Sequence, residues 1–277
     1  MAGPNVTVTM DPTKTKEKSK EARLSGVKRI IAVGSGKGGV GKSTVAVNLA
    51  YALRKMGASV GLLDADFYGP SVPTMLNLKG IQPSVDEEKK IIPPERYGMR
   101  VFSMGFLIKE GDALVWRGPL LGKAVGQFLD DVRWGDLDFL IVDLPPGTGD
   151  IQLSLTQMIP ISASIVVTTP QDVAFNDVIR AAKMMEVTKV PLLGVIENMA
   201  YFKCPDCGNV HKIFGESHIK EKAARNNINY LGELPLVPMI SEAADRGEPI
   251  ILTDPEGDVA KKYMELAERL GVEVKPR

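Results

Sequence analysis

Apolar residues along this chain alternate between two patterns. Short unbroken runs, RIIAV at residues 29–33, VGLL at 60–63, FLIV at 139–142, SIVV at 164–167 and PLLGVI at 191–196, each lead into a polar or glycine-rich loop. Continuous apolarity over so short a span suits a strand buried on both faces, as in a parallel sheet. Helical spacing fills several of the intervals. Val45, Ala46, Leu49, Ala50, Leu53 and Met56 recur at helical intervals, and Gly57 stands where that helix should end. Val259, Tyr263, Leu266 and Leu270 form one face of a last helix, with Asp254 and Pro255 as its start signal. The alternation predicts an α/β fold: a single doubly wound, mainly parallel β-sheet flanked by helices, with ligands at the strand C-terminal ends. Residues 76–97, containing VDEEKKIIPPERYG, interrupt the rhythm and read as an irregular excursion with a β-hairpin. Residues 1–27 are polar, include KTKEKSKEAR and lack sustained periodicity. They read as a mobile arm ahead of one folded domain spanning residues 28–277.

Charge narrows the partners. Lys plus Arg and Asp plus Glu both total 34 in the 277 residues, so no global excess holds the chain to a nucleic-acid backbone or an anionic membrane. No apolar run approaches the roughly 20 residues that span a bilayer, and the N-terminus lacks the apolar core of a secretory signal. A cytoplasmic protein with neither nucleic acid nor membrane as partner is expected. The mixed charge of Lys261, Lys262, Glu265, Glu268 and Arg269 on the polar face of the last helix favours docking onto the fold over membrane targeting. The two tryptophans and the Met184–Met185 pair read as core or interface residues.

The chemistry begins at GSGKGGVGKST, residues 34–44, between the first predicted strand and the first predicted helix. Gly36, Gly41, Lys42 and Ser43 satisfy GxxxxGK[ST] in the context a phosphate-binding loop requires. Gly36, Gly38, Gly39 and Gly41 let backbone N–H groups, including those of Lys37, Val40 and Thr44, crowd around phosphate oxygens. Lys42 is then the contact to the β and γ phosphates of ATP, and the Ser43 hydroxyl a ligand of Mg²⁺. Asp143, after FLIV, fits the Walker B role of supporting the metal, and PPGTG behind it has the character of a γ-phosphate-sensing switch. Asp66, just past the end of another strand, is the candidate for polarising the attacking water. For Asp64 two readings stand: support of the magnesium shell, or the cap of a turn. No NKxD guanine signature occurs in the expected late strand, so ATP is preferred to GTP.

Six separated segments agree in order with one family. KGGVGKST resembles the deviant Walker A motif of MinD/ParA-type P-loop ATPases. DADFYGPS (64–71), WRGP (116–119), DLPPGTGD (143–150), TTPQ (168–171) and ENMAYFKCPDCG (197–208) narrow the likeness to the Mrp-type ATP-binding iron–sulfur cluster carrier proteins. The resemblance implies a P-loop NTPase fold, ATP hydrolysis and a homodimer. Within it Lys37, the first loop lysine, reaches across the dimer to the partner's nucleotide, as an arginine finger does. Without the resemblance, Lys37 is an ordinary loop lysine. Asn198 matches the position that contacts adenine, and backbone in LPLVPMI (234–240) completes that pocket.

Cys204 and Cys207, the only cysteines, form one CxxC. Two thiolates are half of the four ligands that a cluster or a structural zinc usually takes, and two chains would supply four. The readings rank as a bridging cluster, a [4Fe-4S] in the family, then zinc, then a redox disulfide, which lacks an evident helix N-terminus to stabilise its thiolate. His211 stands near enough in sequence to complete a mononuclear zinc site, or is a plain loop residue. The implied partners are recipient apo iron–sulfur proteins and a cluster donor.

Overall fold

The structure, a computed structural model, describes residue 20 and residues 24–107, 126 and 128–277. The first strand, β1 (Val27–Gly34), is buried along most of its length and runs into the glycine loop, which opens α1 (Lys42–Lys55). The chain continues through β2 (Val60–Asp64), a single helical turn α2 (Val72–Met75), a two-stranded hairpin of β3 (Ser84–Val85) and β4 (Ile91–Ile92), then β5 (Glu95–Arg96) and β6 (Met99–Ser103). After β7 (Leu137–Asp143) come α3 (Asp150–Met158), β8 (Ala163–Thr168), α4 (Asp172–Val187) and β9 (Leu192–Glu197). The last part contains the hairpin β10 (Phe202–Lys203) and β11 (Val210–His211), then α5 (Ile219–Arg225), β12 (Tyr230–Glu233), α6 (Pro238–Arg246), α7 (Ile250–Thr253) and α8 (Asp258–Glu273).

Eight strands make one sheet in the order β12-β9-β8-β1-β7-β2-β6-β5. Every neighbouring pair is parallel except β5 and β6, which form an antiparallel edge. Burial on both faces explains the unbroken apolar runs: Ile31 and Val33 join a core under α1 and α8, while Ile30 and Ala32 join a second core on the opposite face, with Leu155 of α3 and Met184 and Met185 of α4. The doubly wound, mainly parallel sheet is therefore as the alternation predicts, as is the hairpin in the 76–97 excursion.

Local signals mostly fall where expected. Met56 caps α1, and Gly57 follows at φ 96°, donating its N–H to the Arg54 carbonyl. The last helix starts later than Asp254–Pro255 suggests. Its cap is Gly257, because a turn closes first from the Gly257 N–H to the Asp254 carbonyl (3.2 Å), and the helix begins at Asp258. Val259, Tyr263, Leu266 and Leu270 are all buried, so α8 docks on the fold. Trp134 is buried too, whereas Trp116, the WRGP segment and nearly all of the N-terminal arm lie outside the described residues. Among the described residues no helix is long and apolar enough to cross a membrane.

Candidate functional site

Parallel strands bring their polar C-terminal ends to one edge, and the register shows which ends meet. Asp143 of β7 lies beside Asp64 of β2 on one side and Val33 of β1 on the other. The Ala65 N–H bonds the Asp143 carbonyl (2.9 Å) and the Leu144 N–H that of Val33 (3.0 Å), locking the two aspartate loops to the root of the glycine loop. Asp64 and Asp143 are completely buried, Asp66 nearly so.

The glycines of the loop have different reasons to be there. Gly41 has φ 81°, and a Cβ on it would stand 2.2 Å from the Asn198 amide nitrogen. Gly36 packs on α4, where a Cβ would fall 2.2 Å from Cβ of Asp177 and 2.6 Å from its carbonyl oxygen. Gly38 faces open space and adopts no left-handed conformation, so nothing within the chain itself requires it.

Lys42 is buried and ion-paired with the equally buried Asp143, and its Nζ lies 3.3 Å from Ser43 Oγ. The other Asp143 oxygen, Oδ2, is buried without a hydrogen-bond partner among the described residues. Burial raises the Asp143 carboxyl above its ordinary range, against the pull of Lys42 and the Ser43 hydroxyl. A buried, unpartnered carboxylate oxygen beside a serine hydroxyl is a hard oxygen donor set, and it fits Mg²⁺. Asp64 is pushed up to about 7, first by burial and then by the Asp143 charge. Its oxygens accept from the N–H groups of Asp66 (3.1 Å) and Val72 (3.3 Å) and from the Ser103 hydroxyl (2.9 Å). Of its two readings, the structure favours the turn cap. Asp66 holds the next turn through Oδ1, which accepts from the N–H groups of Tyr68 and Gly69, and it lines an open cleft of about 400 Å³ shared with Pro145, Pro146, Asp150 and Gln152.

Lys37 is half-buried, and among the described residues its ammonium forms no ion pair. Its carbonyl accepts the hydroxyl of the fully buried Ser35 (2.9 Å). Ser35 in turn accepts the Gly147 N–H (2.9 Å), which ties the PPGTG loop to the phosphate loop. Asn198 is buried directly behind that loop, its amide donating to the Val40 carbonyl at 2.8 Å.

Gln152 is a site residue that motif reading missed. It is buried with both amide atoms unpartnered among the described residues, against Gly34. Its signal was present: Gln152 shares the buried face of α3 with Leu155 and, just past the helix, Ile159, a polar residue at an apolar position. Glu197 was missed in the same way; it is buried, accepts the Tyr230 hydroxyl (2.8 Å), and leaves Oε1 without a partner among the described residues.

The cysteines occupy the turn of the β10–β11 hairpin, some distance along the chain from the loop. The Cys204 N–H bonds the Asn209 carbonyl and the Gly208 N–H bonds the Cys204 carbonyl, both at 2.9 Å, with Gly208 at φ 72°. Cys207 is exposed and Cys204 partly so. Backbone N–H groups of Cys207 and Asp206 aimed at the Cys204 sulfur lower its thiol pKa, which favours the thiolate that metal ligation needs. His211 pairs with Phe202 across the hairpin, and among the described residues no three His, Cys, Asp or Glu side chains gather as a metal site. His211 thus lies in a paired strand of the hairpin rather than in an irregular loop.

A phosphate loop with its carboxylate and a separate dithiol hairpin on one doubly wound sheet is a specific combination. The family model described as ParA, NUBPL iron-transfer P-loop NTPase, matches residues 26–271. The chain belongs to the NUBPL iron-transfer P-loop NTPase family. An iron-sulfur cluster carrier protein of Aquifex aeolicus is 51% identical over 249 residues, which cover 90% of this chain and 68% of that protein. The iron-sulfur cluster transfer protein NUBPL of Dictyostelium discoideum is 46% identical over 248 residues, covering 89% and 77%. Among solved structures, a nucleotide-binding protein of Archaeoglobus fulgidus in complex with ADP superposes with a TM-score of 0.76 at 38% identity, covering 88% of this chain and 96% of that one. The cell division ATPase MinD of Pyrococcus furiosus, at 23% identity and a TM-score of 0.64, shares the fold. For this NUBPL-type NTPase, the Mrp-type and MinD/ParA resemblances read from its motifs therefore hold.

Proposed function

We propose that this NUBPL-type NTPase is an ATP-dependent iron–sulfur cluster carrier that works as a homodimer, holds a [4Fe-4S] cluster between the Cys204–Cys207 pairs of two chains, and passes it to apoproteins after loading by a donor. The observation that carries the reading is a dithiol exposed at a hairpin turn with no third ligand gathered beside it among the described residues, on the same chain as a complete phosphate loop. Two such hairpins facing one another supply the four thiolates a cluster takes, in an open position from which it can leave.

The ATPase half follows from the loop. Lys42 neutralises the β and γ phosphates, exchanging its pairing with Asp143 for the nucleotide. Ser43 and Asp143 hold Mg²⁺, which when bound offsets phosphate charge. Asp66, facing the cleft, orients the attacking water. Lys37, without an ion partner among the described residues, is available to a nucleotide on the second chain.

Anaerobic reconstitution followed by iron, sulfide and visible-spectrum measurements tests the carrier reading. About two irons and two sulfides per chain are expected, one cluster per pair; a Cys204→Ala, Cys207→Ala variant that takes up as much as wild type would sink it. For the ATPase half, Lys37→Ala should abolish turnover while keeping ATP binding, and Lys42→Ala should lose binding itself. Unchanged turnover in Lys37→Ala would return that side chain to an ordinary loop lysine. Zinc at the same thiolates is the second reading, since they accept it readily; retention of zinc against iron and sulfide would favour it.

A further inference from the structure

Two contacts of Asn198 point beyond nucleotide binding. Its amide donates to the Val40 carbonyl inside the phosphate loop, and the bare Cα of Gly41 is what lets the loop approach it so closely. Met199 follows at φ 57°, an uncommon backbone for a residue with a side chain, and its methyl stands 3.6 Å from where a Gly41 Cβ would be. From there residues 199–203 run to Cys204, tied first to residues 234–236 and then to α8. The Ala200 N–H bonds the Leu234 carbonyl (3.0 Å), the Tyr201 carbonyl accepts the Leu236 N–H (2.7 Å), Phe202 bridges to Leu236, and Lys203 is ion-paired with Asp258 at the start of α8. A strap this short, anchored at Ala200, Tyr201 and Lys203, has little slack. The bond from Asn198 to the Val40 carbonyl and the strap together form a continuous covalent and hydrogen-bonded connection from the phosphate loop to the hairpin.

We propose that Asn198 is a positioning residue shared by both sites: it ties the phosphate loop to the cysteine hairpin, so that nucleotide in the loop alters the exposure of Cys204 and Cys207. The proposal rests on the reading of the loop as a nucleotide site and the hairpin as the cluster site. It adds the physical connection between them.

The test uses the full chain, reduced and metal-free, with a chromogenic aromatic disulfide as the thiol probe. Reaction rates are read without nucleotide and at saturating Mg·ATP or Mg·ADP, with occupancy checked by a fluorescent ADP analogue. Coupled sites typically shift one another's equilibria about fivefold or more, and a thiol rate limited by the exposed population follows that shift. Wild type should therefore show a nucleotide-dependent rate change of about that size, and Asn198→Ala, at full occupancy, less than about twofold. If Asn198→Ala does not bind nucleotide, Met199→Gly decides, because it keeps the Asn198–Val40 bond but deletes the side chain packed at Gly41 and slackens the strap through which Asn198 is connected to Cys204. It too should show a diminished response. The idea is overturned if wild type binds nucleotide with no change in thiol rate. It is equally overturned if the deciding variant keeps the whole effect, as it would were the cysteines shielded merely by pairing of two chains. Either result leaves the ATPase and carrier reading standing, since that reading fails on turnover and cluster uptake.

Discussion

Gly36 and Gly38 look alike in the motif and differ in the fold. A methyl group at Gly36 meets the backbone of α4 at Asp177, which has no flexible end to move aside. Gly36→Ala should cost about 1–3 kcal/mol in urea unfolding, as overpacking does, whereas Gly38→Ala should stay within about 0.5 kcal/mol of wild type. If Gly38→Ala nonetheless loses ATPase activity, its role belongs to a ligand or a second chain. Asp138 sets a pH dependence of its own. Its carboxylate accepts from Lys28 Nζ (2.8 Å) and from the N–H and hydroxyl of Ser59 (both 2.9 Å), and these bonds lower its pKa from 3.8 to about 2. A depressed carboxyl stabilises the fold above its unfolded pKa, and that contribution is lost as pH falls through the folded value. Between pH 3.8 and about 2, wild type should therefore lose stability that Asp138→Asn never had; parallel unfolding curves for the two proteins across that window would remove the assignment.

At the scale of elements, α8 shows how far periodicity reaches. Its apolar face was legible because burial against α1 demands one side of a helix and nothing else. Its start was not, since the turn closed by Gly257 depends on a local hydrogen bond that competes with the Asp–Pro signal. Tyr263 lies fully buried in the core that α8 shares with α1, and Tyr263→Ala should cost about 3–5 kcal/mol of unfolding free energy. A loss under about 1 kcal/mol would mean that α8 frays from the sheet independently of the domain. The strands behaved as expected because both sheet faces are covered, leaving no alternation to read. Gln152 carries one signal, its place on the apolar face of α3, while Glu197 resembles a surface residue until its neighbours are known.

For the whole molecule, the arrangement follows from β1 standing between β7 and β8, and β7 between β1 and β2. That order brings Asp64 and Asp143, far apart in sequence, into register beside the phosphate loop, and it leaves the cysteine hairpin as an outgrowth beyond β9. The sequence by itself determined the parallel sheet, the phosphate loop with Lys42 and Ser43, the carboxylate at the end of β7 and the dithiol, because each is a local pattern of residue types at fixed spacing. Only the tertiary structure showed that Asp64 accepts the N–H groups of a turn, that His211 belongs to a strand ladder, and that Asn198 lies against Val40. The bonds from Asn198 to Val40 and from Ser103 to Asp64 join distant segments, and the turn at Asp64 and the pairing of His211 depend on how the backbone folds locally. The distant bonds are set by strand order, register and burial, which side-chain spacing along the chain does not encode.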